Sequence, residues 1–233
     1  MRLQDGEGRL VVALPGVTDM APVAPGSMWA IAGRKLYTTT KNEPAFLVGL
    51  GKYERNVNPD GGEVDSNPFD VTALGEKRAL IADAGANAVL VANRRGGVNW
   101  IATLPDELAP TADIKALAGC PNGPADICDL PDRIPAQGVA TSVAVGPDGA
   151  LYVTELKGFP APLGMSLEAI EPDARHVACD AADTDGPCTL VADGFTSIVD
   201  ITFDRTGPPT SRSSTRQAGR PSRSSPTGCS AGP

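Results

Sequence analysis

The chain of 233 residues has few aromatic side chains (4%), a single histidine, and no excess of positive charge: 20 Lys plus Arg stand against 28 Asp plus Glu, a net charge of -8. The acidic balance argues against phosphate backbones or an anionic membrane surface as a main partner, so no nucleic-acid role is expected. The histidine, His176, closes the polar run Pro172-Asp173-Ala174-Arg175-His176 and reads as an exposed loop residue. Any Ser-His-Asp triad would depend on it, and a His-rich zinc site is excluded. No apolar run approaches the ~20 residues of a membrane span. GxSxG, HExxH, CxxC and glycine-rich phosphate loops are all missing. These absences leave no dedicated nucleophile, acid or base from which to name a reaction.

Breakers are abundant instead. Gly (26) and Pro (22) together exclude a helical bundle or a long coiled coil. The 41% apolar content, mostly Val, Ala, Leu and Ile, is adequate for a core and falls in short runs. Phe69-Asp70-Val71-Thr72-Ala73-Leu74, Arg78-Ala79-Leu80-Ile81-Ala82-Asp83, Ala88-Val89-Leu90-Val91-Ala92 and Val98-Asn99-Trp100-Ile101-Ala102 are each bounded by Gly, Asn, Asp or charge. That is the reading of four strands of one antiparallel meander.

The pattern returns over 141–156, where Pro147-Asp148-Gly149 supplies a hairpin turn, with later strands at Leu167-Glu168-Ala169-Ile170 and Thr189-Leu190-Val191-Ala192. Another copy opens at Ser197-Ile198-Val199-Asp200-Ile201-Thr202, and an earlier one is visible over 28–38. Asp70, Ser142 and Asp200 occupy equivalent places, 72 and 58 residues apart, so insertions are required; they fall at 104–139 and 157–187. Four-stranded units of about 40 residues that must stack to bury both faces predict an all-β fold, a β-propeller. The competing architecture is a plain β-sandwich.

The stretches 58–71, Ala82-Asp83-Ala84-Gly85-Ala86-Asn87, 141–156, Gly158-Phe159-Pro160 and 192–200 resemble the ScyD/ScyE family over about residues 8–207. The resemblance implies a secreted, NHL-like six-bladed propeller, here about four blades, exported to an extracellular or periplasmic location, with no established reaction. Two ends depart from the family pattern. Residues 1–6 lack the apolar core of a signal peptide, which reads as a late start or a fragment. Residues 206–233 hold four Arg, seven Ser and five Pro with no acid and no Val, Ile, Leu or aromatic residue. The expected organisation is a partial propeller over 1–207 and a disordered basic tail over 208–233. A reading-frame slip near codon 207 explains that tail, because an off-frame reading restores a Tyr-Val-x-Glu-Leu strand.

Cys229 falls in the tail. Cys120 and Cys128 form one local pair and Cys179 and Cys188 another, each inside a Pro/Gly/Asp-rich insertion, and are expected as two disulfides suited to an oxidising compartment. A zinc site is the rival, without a tight C-x2-C half-site to support it.

In a propeller the interblade loops gather on one face around the central channel. Those loops carry Asn67, Asp70, Asp83, Asn87, Ser142, Glu155 and Asp200, the candidate ligand-binding face. Their oxygens could hold Ca²⁺, or could satisfy turn backbones as Asp and Asn do in any β protein. The run 180–186 is calcium-like but lacks full EF-hand spacing. Two functions fit: a non-catalytic scaffold for an unknown small molecule or protein, or a calcium-dependent lactonase- or hydrolase-like propeller.

Overall fold

The computed structural model describes residues 2–4, 10–40, 43–158, 165–180, 183, 185–195, 198–203 and 210–213. The architecture is an arc of antiparallel sheets, a β-propeller described here over four blades. A short hairpin, β1 (Arg2–Gln4) and β2 (Leu10–Ala13), comes first. Blade 1 is the meander β3 (Val17–Ala24), β4 (Ser27–Ala32), β5 (Lys35–Thr40) and β6 (Glu43–Gly49). A helix, α1 (Leu50–Val57), leads into blade 2: β7 (Pro68–Leu74), β8 (Arg78–Asp83), β9 (Ala88–Asn93) and β10 (Val98–Thr103).

The insertion that follows is built on a hairpin of β11 (Glu107–Pro110) with β12 (Arg133–Ala136), enclosing the short helices α2 (Ala112–Leu117) and α3 (Ala125–Cys128). Blade 3 comprises β13 (Gly138–Val145), β14 (Leu151–Lys157), β15 (Met165–Ile170) and, after a second insertion, β17 (Cys188–Phe195). That second insertion contributes β16 (Val177–Ala178), a parallel fifth strand on the outer edge of β10. Blade 4 is represented by β18 (Ile198–Thr202) and β19 (Thr210–Ser213). Thus residues 210–213, inside the stretch expected as a tail, pair with β18. The other residues after 203, including Cys229, lie outside the described set, as do Ala181, Ala182 and Thr184 of the calcium-like run.

The core is the set of contacts between blades. Trp29, Ile31 and Leu36 of blade 1 pack on Val71, Ile81 and Leu90 of blade 2. Leu80, Val89 and Ile101, on the opposite face of blade 2, pack on Val143, Leu151 and Val153 of blade 3. Ala144 and Leu167 then meet Ile201 of blade 4. Because successive residues of a strand point to opposite faces, a blade with a neighbour on each side buries both sets. Hence Ala79-Leu80-Ile81-Ala82 is an unbroken apolar run, with every residue of β8 after Arg78 buried.

A single device repeats at the innermost strand of every blade. Register slips by one residue between Val17 and Asp19, Pro68 and Asp70, Ala140 and Ser142, and Ile198 and Asp200. Each slip is a β-bulge, and in the first three blades the residue after it turns a polar side chain toward the next blade. Asp19 Oδ2 accepts the Val71 N–H at 2.8 Å, Asp70 Oδ2 the Val143 N–H at 2.7 Å, and Ser142 Oγ the Ile201 N–H at 3.2 Å. The repeat equivalence of Asp70 and Ser142 is therefore a latch between blades, with Asp19 as the member that the sequence reading passed over, while Asp200 shares only the bulge position.

Candidate functional site

The loops over blades 1 to 3 enclose a cavity of about 530 Å³. Its wall includes Asp60, Glu63, Asp65, Asn87, Asp106 and Gln137, together with the backbone of Gly61 and Gly62. Four lining carboxylates face no lining Lys, Arg or His. One of them, Asp65, is bound from outside by Arg34, Nη2 to Oδ1 2.8 Å. Asp60 receives Asn87 Nδ2 at 2.9 Å and the Gly62 N–H at 2.9 Å.

Asp83 holds this wall in place from below. It is fully buried at the end of β8; its Oδ2 accepts from Ser66 Oγ at 2.8 Å, and its Oδ1 accepts the N–H groups of Asn67 (2.6 Å), Gly85 (3.2 Å) and Ala86 (3.3 Å). Burial pushes its carboxyl upward, and these four donors oppose the shift. The two loops approach so closely that a Cβ on Gly85 would sit 2.8 Å from the Asn67 nitrogen. Asn87 adopts a positive φ of 46° in the same turn, and its carbonyl accepts the Leu104 N–H at 2.8 Å.

Behind the wall lies Glu54 of α1. Only 1% of it is exposed, and neither carboxylate oxygen meets a hydrogen-bond donor. Burial raises its carboxyl to about 7, helped by the negative charges of Asp60, Asp83 and Asp65. The sequence reading missed this residue, taking 58–70 as loop and leaving 50–57 unassigned; the signal was the i, i+3, i+4 pattern of Leu50, Tyr53 and Glu54 before the Asn58-Pro59 stop.

Glu155 occupies in blade 3 the place that Asp83 occupies in blade 2, each paired just before the bulge, with Ala140 and Pro68 respectively. Yet it serves a separate cluster between blade 3 and β11. Its Oε2 accepts from Ser166 Oγ at 2.8 Å, and its Oε1 lies 2.5 Å from Lys157 Nζ, which also reaches Glu107 Oε2 at 2.9 Å. Glu168, 3% exposed, stands beside them with Oε2 unpartnered. Burial and then the Glu155 charge raise its carboxyl to about 8, so it stays protonated at neutral pH.

The seven candidates therefore divide. Asn87 lines the cavity, and Asp83 with the Asn67 backbone braces it. Asp70 joins Ser142 Oγ, at 2.7 Å, and Val143 in the latch. Burial raises the Asp70 carboxyl to about 7. Glu155 belongs to the ion cluster. Asp200 is exposed on β18, with no further blade beyond it among the described residues. Glu168 lies near Cys179 and Cys188, the sole grouping of three ligand-type side chains within 4.8 Å among the described residues, and both sulfurs are committed to a disulfide. His176 is exposed as expected, with Nε2 2.8 Å from Asn99 Oδ1 and its ring stacked on Trp100. Both local disulfides are formed, Cys120–Cys128 and Cys179–Cys188.

No protein-family model and no curated protein sequence matches the chain. Among solved structures, a protein of unknown function from Bacteroides caccae is similar at 10% identity with a TM-score of 0.42, over 83% of this chain and 51% of that one. A luciferin-regenerating enzyme is similar at 12% identity and a TM-score of 0.35, over 80% and 66%. A streptogramin B lyase is similar at 11% and 0.33, over 85% and 68%. The chain spans about half the length of the first of these.

Proposed function

We propose that this chain is a secreted, non-catalytic propeller of the ScyD/ScyE type, whose loop-face cavity binds a cationic small molecule or the basic side chain of a protein. The observation that carries the reading is the lining: Asp60, Glu63 and Asp106 without a cationic partner among the wall residues. A cation entering this cavity meets several carboxylates at once, which favours charge-assisted hydrogen bonds. The inner-strand polar groups that a hydrolase would need as base or metal ligand, Asp70 and Ser142, are instead engaged in holding blades together. Two formed disulfides fit export to an oxidising compartment. Among the described residues no helix is long and apolar enough to cross a membrane.

Calorimetric titration with spermidine as the probe tests this. Wild-type protein should bind, and an E63Q/D106N double variant should bind at least about tenfold more weakly, the loss of one to two charge-assisted contacts. Equal affinity in the two proteins overturns the reading.

A further inference from the structure

Glu54 and Asn58 sit one helical turn apart at the end of α1, and between them carry three buried oxygens that meet no donor: both Oε atoms of Glu54 and Oδ1 of Asn58. Buried acceptors are almost always satisfied, so three orphans on two residues four apart call for a partner that is not a protein N–H. Asn58 is held in the orientation that produces this. It ends α1 in the left-handed region, φ 45°, and its Nδ2 donates to the Gly62 carbonyl at 3.0 Å, leaving Oδ1 with no donor. Protonation of Glu54 would pair at most two of the three oxygens and leave one without a donor.

The chain that follows is a loop of oxygen-bearing residues, Asn58-Pro59-Asp60-Gly61-Gly62-Glu63-Val64-Asp65, turning at Gly61 with φ 69°. Asp60, Asp65 and Asp83 are close enough to Glu54 for their charges to act on it. Among the described residues the one basic group bound to this set is Arg34, exposed and directed to Asp65. Carboxylate and amide oxygens, without histidine or thiolate, are the donors of a hard cation that accepts many oxygens in flexible geometry.

We propose that Glu54, Asn58 and Asp60 form a Ca²⁺ site that fastens the end of α1 to the 58–65 loop. The site is distinct from the inner-strand residues discussed above as calcium candidates, and it shares only Asp60 with the cavity wall. It would fix the loop that supplies Asp60, Glu63 and Asp65 to the cavity wall, so occupancy would set the wall's shape.

The test uses the whole oxidised chain, stripped with EDTA and titrated with CaCl2 alone, followed by calorimetry and thermal unfolding. Wild type should bind one Ca²⁺ and gain several degrees in melting temperature at about 100-fold excess over Kd. E54Q should reverse the order of stability. It should melt above wild type in EDTA, since a buried unpaired carboxylate is gone, and below wild type in calcium, with affinity down at least about tenfold. A purely structural Glu54 would give no such crossing. A flat wild-type isotherm at about 5 mM Ca²⁺, or E54Q binding Ca²⁺ as wild type does, overturns the proposal, because that concentration exceeds even the weak extracellular calcium sites. Spermidine is titrated into E54Q in parallel. Retained spermidine binding with lost Ca²⁺ binding supports the assignment of Glu54 to the metal and not to the cavity's ligand. Retained Ca²⁺ binding with lost spermidine binding in E54Q overturns the assignment of Glu54 to the metal.

Discussion

Asp70 Oδ2 accepts the backbone N–H of Val143 at 2.7 Å, across a boundary of 73 residues in sequence and one blade in space. The same oxygen takes the Ser142 hydroxyl at 2.7 Å. Ser142 is fully buried, so neither donor has water as an alternative. D70A should destabilise the fold by about 3 kcal/mol, the loss of two hydrogen bonds with two stranded buried donors. D70N, which keeps an acceptor oxygen in place, should cost about 1 kcal/mol. Urea unfolding of the two variants checks the ordering; equal costs would mean that the latch is not the source of the effect.

Glu168 gives a pH signature. Its carboxyl titrates near 8 in the folded chain, against an ordinary value of 4.5. A folded pKa above the unfolded one means that the native state holds the extra proton between the two values. Stability is therefore highest below about 4.5 and falls as pH rises toward 8. E168Q should flatten that decline and stabilise the protein by about 2 kcal/mol at about pH 8. Unfolding free energies measured across this window test it, and an unchanged slope would remove Glu168 as the titrating group.

The two disulfides should differ in weight. Cys179 is 1% exposed and packs in the core between blades 2 and 3, beside the β16 pairing to β10. Cys120 and Cys128 join α2's trailing turn to α3, helices that bury no residue. Each loop closure alone is worth about 2 kcal/mol. C120S/C128S should cost no more than that, whereas C179S/C188S should cost about 3–4 kcal/mol because polar hydroxyls also enter the core. Equal thermal shifts for the two pairs would contradict this.

G85A should destabilise by about 2 kcal/mol, because the new methyl meets backbone atoms of Ser66 and Asn67 rather than a side chain that can swing away. It should also weaken any ligand of the cavity, since Gly85 is part of the wall. Thermal unfolding together with the spermidine titration reads both effects.

Blades 2 and 3 were legible as strands because two buried faces leave apolar runs cut by turn residues, as at Ala79-Leu80-Ile81-Ala82 and Gly146-Pro147-Asp148-Gly149. Blade 1 was legible only in β4 and β5. Its inner strand, Val17-Thr18-Asp19-Met20-Ala21-Pro22, carries a proline and an aspartate that read as loop, and only the Asp19 latch gives the aspartate a reason to be in a strand. The candidate site was legible in residue type and not in role. Asp70 and Ser142 recur because blades must be joined, and nothing in one sequence separates that recurrence from ligand binding. Glu54 stayed hidden because a glutamate on a short helix ordinarily faces water.

The bulge-and-acceptor repeat also governs how such a chain can change. The segment carrying β16 leaves blade 3 between its two outer strands, while the three latches lie on the innermost strands alone. The angular step from one sheet to the next is thus set at the axis and is indifferent to what accumulates at the rim. Lengthening a peripheral connection, or exchanging a whole sheet for another that places an acceptor after its bulge, preserves the curvature of the ring. Losing one acceptor opens it.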